Sequence, residues 1–359
     1  MGVKLILLHG AWRRGLALIS LALATACTSS APPPTTSASA PTTAAPPATV
    51  PQAIGAPPVA SGASRRARVA ALFAQFVNQG NWDVAGFHAY DAMCNKYSFD
   101  CTYVEQATYE KAPAILTDFA TQGYDMIITH SSGYGAAIEE VAPRFPKTQF
   151  VLFSYAKDTN GIQNYSAWSV NWDQVGFVVG FVAALASKTS HIAYIGGEKL
   201  PTSDQNVAAY RAGAQQVNPT IKFTVTFIGS FTDAAKAKQV ALQEINAGAD
   251  VLIPGADTAD AGTQQAAEEG NALTFGEYMD ERPKYPNGRM ITSFVVDMDR
   301  AYDEIGDAFR KGTLNGEIRQ MGLETKALTF TEFEHVDPSV GLKARQLMDE
   351  LAAGTIKPS

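Results

Sequence analysis

Two tryptophans stand where this chain passes from an apolar run into a helix, a placement that suits a large flat ring to stacking and not to bond making. Trp82 follows the first such run, and Trp172, in Asn171-Trp172-Asp173, precedes an apolar helix beginning near Val175. Each ring either meets a ligand or packs in the core. Trp168 lies close by as a second wall or a strand residue. Ser131, Ser132 and Tyr134 follow the third apolar run, where hydroxyls and backbone amides hold polar atoms, or where a serine caps its own helix. Asp257 and Asp280 follow later runs, and a carboxylate there accepts from an amine or a ring nitrogen. Asp257 has capping of the helix near Ala259 as its alternative, and Asp297 is open to hinge and ligand roles. His130, alone at a strand end, reads as structural.

Flat faces with a few donors and acceptors bind reversibly, and nothing in the chain adds turnover to them. His88, His130, His191 and His335 show no metal-ligand spacing, and there is no Gly-x-Ser-x-Gly elbow. Gly196-Gly197-Glu198-Lys199 lacks the Ser or Thr that follows the lysine of a phosphate-binding loop. The sequence therefore points away from an enzyme, and it implies no cofactor and no metal.

The elements that must hold these residues alternate. From Arg68 onward, apolar runs of strand length (69–76, 102–106, 125–130, 149–155, 191–195, 222–228, 250–254, 272–275, 290–296) alternate with helical stretches (82–93, 109–122, 175–187, 205–217, 234–247, 259–269). That order is the signature of an α/β fold with parallel sheets and crossover helices. One segment echoes another: Gly123-Tyr124-Asp125-Met126-Ile127-Ile128 and Gly248-Ala249-Asp250-Val251-Leu252-Ile253 each close a helix and launch a buried strand. Small and polar residues follow both. The echo predicts two similar lobes whose strand ends face each other across a cleft, the usual place for a ligand in such sheets.

Composition narrows the class. Of 359 residues 46% are apolar and 18% charged, enough for a large core. The formal charge of -7 becomes -10 without the first 26 residues, which carry Lys4, Arg13 and Arg14 and no acid. This balance argues against a nucleic-acid surface. Leu16 to Ala26 is an apolar run too short to span a bilayer and reads as an export signal. It ends in Leu23-Ala24-Thr25-Ala26-Cys27, which resembles a lipobox with Cys27 as the acylated residue; an ordinary cleaved signal is the alternative. Thr28 to about Ser64 is nearly all Pro, Thr, Ser and Ala, the composition of a stalk. Cys94 and Cys101 would fold outside the cytoplasm, where a local bridge is the first expectation and a reduced pair the second.

Taken in order, these segments resemble the basic membrane protein family of substrate-binding lipoproteins. The resemblance covers about residues 68 to 330. It rests on Gly123 to Ile128 leading through Tyr134 into Glu139-Glu140-Val141-Ala142-Pro143-Arg144-Phe145-Pro146, on Ile195-Gly196-Gly197, on Tyr210 to Pro219, and on Gly248-Ala249-Asp250-Val251. It implies a periplasmic-binding-protein type I architecture, two Rossmann-like lobes with parallel sheets joined by hinge crossovers. The first lobe would hold 66–165 with about 297–315, the second 166–296 with about 316–335, and the helix near 337–354 is unassigned. The resemblance also implies a monomeric, lipid-anchored receptor on the extracytoplasmic face of a bacterial cell membrane, working with an ABC permease and ATPase. In the nucleoside-binding members an aspartate and a lysine fall where this chain has Ala136 and Val296. The purine-base branch is closer, through Gln79-Gly80-Asn81-Trp82 and Gly255-Ala256-Asp257-Thr258. The implied ligand is a purine base, with Asn81 and Trp82 among its contacts. A nucleoside, or a sensing role toward a signalling partner, is the alternative.

Overall fold

The structure, a computed structural model, describes residues 65–200 and 202–358. The expected signal, Cys27 and nearly all of the stalk lie outside the described residues.

A six-stranded sheet forms the first lobe. Its strands are β1 (Arg68–Leu72), β2 (Asp100–Val104), β3 (Met126–Thr129), β4 (Gln149–Ser154), β5 (Tyr165–Val170) and β11 (Ile318–Met321), in the order β11-β5-β4-β3-β1-β2 and parallel throughout. The second lobe holds β6 (His191–Gly196), β7 (Lys222–Phe227) and β8 (Val251–Gly255) in the order β7-β6-β8. A second triplet, β9 (Thr274–Gly276), β10 (Met290–Val296) and the antiparallel β12 (Leu328–Phe330), is tied to β8 by a bridge between Val251 and Leu273. The combined order, β12-β10-β9-β8-β6-β7, repeats that of the first lobe strand for strand. The echo at Gly123 and Gly248 falls on the matched strands β3 and β8.

The echo has a physical cause. Gly123 and Gly248 both take positive φ, the left-handed turn that ends a helix abruptly. The aspartate two residues on ties down the start of the neighbouring strand: Asp125 accepts from the Arg68 amide at 2.8 Å, and Asp250 from the Lys188 and Thr189 amides at 2.6 and 3.0 Å. The inner parallel strands β1, β3, β4, β5, β6 and β8 are buried on both faces, as sheets covered by helices must be.

The chain crosses between lobes three times. From β5 it passes to α4 (Trp172–Ala186), which packs on α5 (Ser203–Val217) of the second lobe. From β10 it returns to α8 (Met298–Lys311), which packs on α1 (Trp82–Tyr97). From β11 it leaves again for β12. Two boundaries therefore differ from expectation. Residues 166–170 pair with β4 in the first sheet, and 318–321 pair with β5, so both belong to the first lobe. The last helix, α9 (Pro338–Ala352), lies against α4 in the second. Alpha8 owes its boundaries to its ends: the Asp297 carboxylate caps the Arg300 amide, Asp299 sits in the first turn, Arg310 and Lys311 in the last, and Gly312 takes the left-handed position. Cys94 near the end of α1 is joined to Cys101 of β2 by a disulfide.

Candidate ligand-binding site

The carboxyl ends of the strands of both lobes line a cavity whose empty space, including the solvent at its open mouth, is about 810 Å³. Trp82, the first residue of α1, hangs over it. Its ring is stacked on the imidazole of His130 (centroids 4.7 Å apart) and on Phe153 (5.5 Å), and its indole N–H donates to the His130 carbonyl at 3.0 Å. Trp172 at the start of α4 lies 5.8 Å from Trp82, and Tyr278 from the loop after β9 lies 5.0 Å from it. These three rings line the cavity, together with Tyr109, Tyr194, Tyr210, Phe231 and Phe294.

His130 supports this wall from behind. It is fully buried, and burial drives its pKa down to about 3, so the ring is neutral. Its Nε2 lies 3.0 Å from the Trp82 carbonyl, which only accepts, so Nε2 carries the proton and Nδ1 accepts from the Tyr302 hydroxyl at 2.8 Å.

Carboxyls supply the polar side. Asp257, on a left-handed residue after β8 (φ 51°), reaches over the cleft: its Oδ1 accepts from the Asn81 amide at 2.8 Å and the Trp82 amide at 3.3 Å. It therefore caps the N-terminus of a helix in the other lobe, where the dipole favours a negative charge. Asp83, one residue further, is 1% exposed; its Oδ2 accepts from the Gln75 amide at 2.6 Å, while its Oδ1 has no partner. Burial, and then the charge of Asp257, push the Asp83 carboxyl up to about 8. Glu277 is 3% exposed with Oε2 unpartnered. Burial and then neighbouring Asp260 hold its pKa well above the usual carboxylate range, and burial raises that of Asp260 as well. Asp260 in turn accepts from the Gly255 and Ala256 amides. Of the charged residues that line the cavity, Asp83, Glu198, Asp257 and Glu277 are acids, and none is Lys, Arg or His. The Trp172 indole N–H is a buried donor without a partner. No group of His, Cys, Asp and Glu among the described residues has the arrangement of a metal site.

A two-lobed cleft of rings and carboxyls can hold a small ligand. The family model of Bmp, described as ABC transporter substrate-binding protein PnrA-like, matches residues 68–351. The chain belongs to this family. Its members are substrate-binding proteins of ABC transporters, not enzymes, and act outside the cytoplasm. Among relatives, the chain is similar to the transcriptional activator protein Med of Bacillus subtilis, 27% identical over 74% of this chain and 82% of that one. It is also similar to a purine-binding protein of Brucella abortus, 26% identical over 67% of each. Among solved structures, a solute-binding protein of an ABC transporter system from Aeropyrum pernix superposes with a TM-score of 0.72 at 18% identity, over 81% of this chain and 92% of that one. This likeness shows the fold.

Of the residues singled out in sequence, Trp82, Trp172, Ser131, Ser132 and Asp257 line the Bmp-family cavity. Three do not. Asp280 is corrected: its side chain is 41% exposed and paired with Arg282 at 2.8 Å, which holds its pKa low. Tyr134 is corrected as well, being fully buried beneath the loop with its hydroxyl donating to the Ala107 carbonyl at 2.5 Å. Tyr109 takes its place at the cavity, 2.9 Å from the Ser131 hydroxyl. Asn81 is buried beside the cavity and does not line it; its Nδ2 donates to Glu281 at 2.6 Å and its Oδ1 accepts from Lys284, so it links the lobes. Trp168 is buried away from the cleft, with its N–H on Glu304 at 3.2 Å. Neither Ala136 nor Val296 lines the cavity.

Sequence reading missed Asp83, Tyr109, Asn206, Glu277 and Tyr278. A signal existed for Glu277 and Tyr278, which occupy the same post-strand loop that pointed to Asp280.

Proposed function

We propose that this Bmp-family protein is a lipid-anchored receptor that captures a purine base between its lobes and presents it to an ABC permease and ATPase. The observation that carries the reading is the convergence of the Trp82, Trp172 and Tyr278 rings with buried carboxyls in one cavity without a lining cation. Rings of this kind stack on a flat heterocycle, and edge groups orient it. A lining without Lys or Arg disfavours nucleotides and other anions. The name of the Brucella abortus relative, a purine-binding protein, supports the same choice. The alternative of a nucleoside needs partners for the ribose hydroxyls, each unpaired group costing about 1 to 3 kcal/mol in a closed cleft. Capture would proceed by closure of one lobe on a ligand held by the other, through differential affinity for the closed form.

Mass spectrometry of the small molecules that copurify, followed by thermal unfolding with purine bases and nucleosides, tests this. A base at a hundredfold excess over its Kd should stabilise by about 2.7 kcal/mol. If adenine, guanine, hypoxanthine and their nucleosides all leave the melting temperature unmoved, the purine reading falls. Cys27→Ala in the full chain should release the protein from the membrane fraction; retention there would remove the anchor.

A further inference from the structure

We infer that Asn81 is a closure latch: its side chain leaves the helix it stands ready to cap and holds the opposite lobe instead, setting how tightly a ligand is retained without touching it. The inference rests on the capture reading above and adds a residue that governs capture from outside the cavity.

Asn81 is the N-terminal cap of α1, a position that favours asparagine because the side-chain oxygen can accept from an amide of the first turn. Asn171 before α4, Asp297 before α8 and Asp337 before α9 all do this. Asn81 does not. Its carbonyl starts α1 by accepting from the Ala85 amide at 3.0 Å, and its remaining polar groups are turned to the second lobe. The backbone N–H donates to Asp257 at 2.8 Å, Nδ2 donates to Glu281 at 2.6 Å, and Oδ1 accepts from Lys284. In place of the missing cap, Asp257 of the other lobe accepts from the Trp82 amide as well.

Opening the cleft breaks these three bonds of Asn81 together and frees its side chain to cap α1, so the residue has a partner in either form. In the closed form Asn81 is 5% exposed, and a polar group left unmade in such a setting is costly. None of the bonds requires an ionised carboxyl, because a protonated one still offers its carbonyl oxygen to an N–H. The fit is close: a methyl group on Gly80 would overlap the Thr258 hydroxyl of the other lobe. Asn81 does not line the cavity, so it adds the same increment to the closed form whichever ligand is inside. Because apparent affinity scales with the fraction of competent form, the latch multiplies all affinities by one factor.

Asn81→Ser separates the two roles, since serine caps a helix about as well and is too short to reach Glu281 or Lys284. Titration calorimetry with adenine, guanine and hypoxanthine should show each Kd raised by one common factor of about tenfold, with the ratios among the three as in the wild type. Stopped-flow kinetics should place the change in the dissociation rate. Lys284→Met, at an exposed position, breaks one of the bonds from the other side and should raise the same constants by a smaller common factor. It carries the test if the Ser variant fails to fold. Small-angle scattering of the ligand-free proteins should give both variants a larger radius of gyration than the wild type. A factor that differs from base to base makes Asn81 a ligand contact and overturns the inference. Unchanged constants, or equal radii in wild type and variants, overturn it too. If none of the bases binds while the variants expand, the purine reading falls and the latch stands.

Discussion

The loops after β3 and β8 hold equivalent places in the two lobes and use their polar side chains in opposite ways. In the first lobe, Ser131 is satisfied at home: its hydroxyl accepts from the Gly133 amide at 3.3 Å and bonds to Tyr109 at 2.9 Å. In the second, Asp257 spends its carboxylate on the other lobe, on the amides that open α1. The surroundings differ in the same sense. Apart from Asp83, the carboxyls whose pKa burial raises, Asp257, Asp260, Glu277 and Glu281, all lie in the second lobe. One lobe presents aromatic surface on a self-contained frame. The other presents buried carboxyls that burial drives toward the protonated form, one of which reaches across to the opposite lobe.

The sharpest break of that comparison is pH. A carboxyl whose pKa is raised in the folded state holds a proton that the unfolded chain gives up, so stability falls as pH rises from the unfolded value through the folded one. For Asp83 the window runs from 3.8 to about 8, and for the acids of the second lobe the direction is the same. Amide hydrogen exchange followed between pH 5 and 8, corrected for intrinsic rates, should show protection falling more around β8 and β9 than around β1 and β3. Equal loss in both lobes would contradict the asymmetry.

Next in size is Asp257→Ala, which strips the Asn81 and Trp82 amides of their acceptor and should cost the closed form about 1 to 3 kcal/mol. Small-angle scattering should register a larger radius of gyration, with the melting of the first lobe little changed. Gly80 makes this contact tight, since a methyl group there would meet Asp257 oxygens at 2.8 and 2.9 Å. Smallest is Ser131→Ala, expected to cost about 0.5 to 2 kcal/mol, the usual loss for a capping serine. It should leave the radius of gyration as in the wild type. If Ser131→Ala opens the molecule and Asp257→Ala does not, the roles given to the two loops are reversed.

Much of the frame was legible because the backbone demanded particular residues. A glycine at positive φ followed two places on by an aspartate marks a helix exit and a strand entry, and it marked the same strand in both lobes. Strands β11 and β12 were invisible by comparison: they are four and three residues long, and their pairing with β5 and β10 is decided by contacts over 30 residues or more away in sequence. At the site, the rings of Trp82 and Trp172 were found because position after a strand is readable, while the choice between neighbours was not. Asp280 and Glu277 share one loop, and packing alone puts the second inward and pairs the first with Arg282. Tyr134 and Tyr109 present the same problem, settled by which ring lies beneath the other. Asp83 reads in sequence as an ordinary first-turn acid complementing a helix dipole, and only burial distinguishes it.

The three crossings carry a consequence for the order of synthesis. Strand β11, which completes the first sheet, emerges from the ribosome only after the whole of residues 172–296 has been made. Until then β5 is an exposed edge with unpaired backbone groups, a template for wrong partners. The nascent chain therefore lays down all of its second lobe except β12 and α9 while the first still lacks α8 and its last strand.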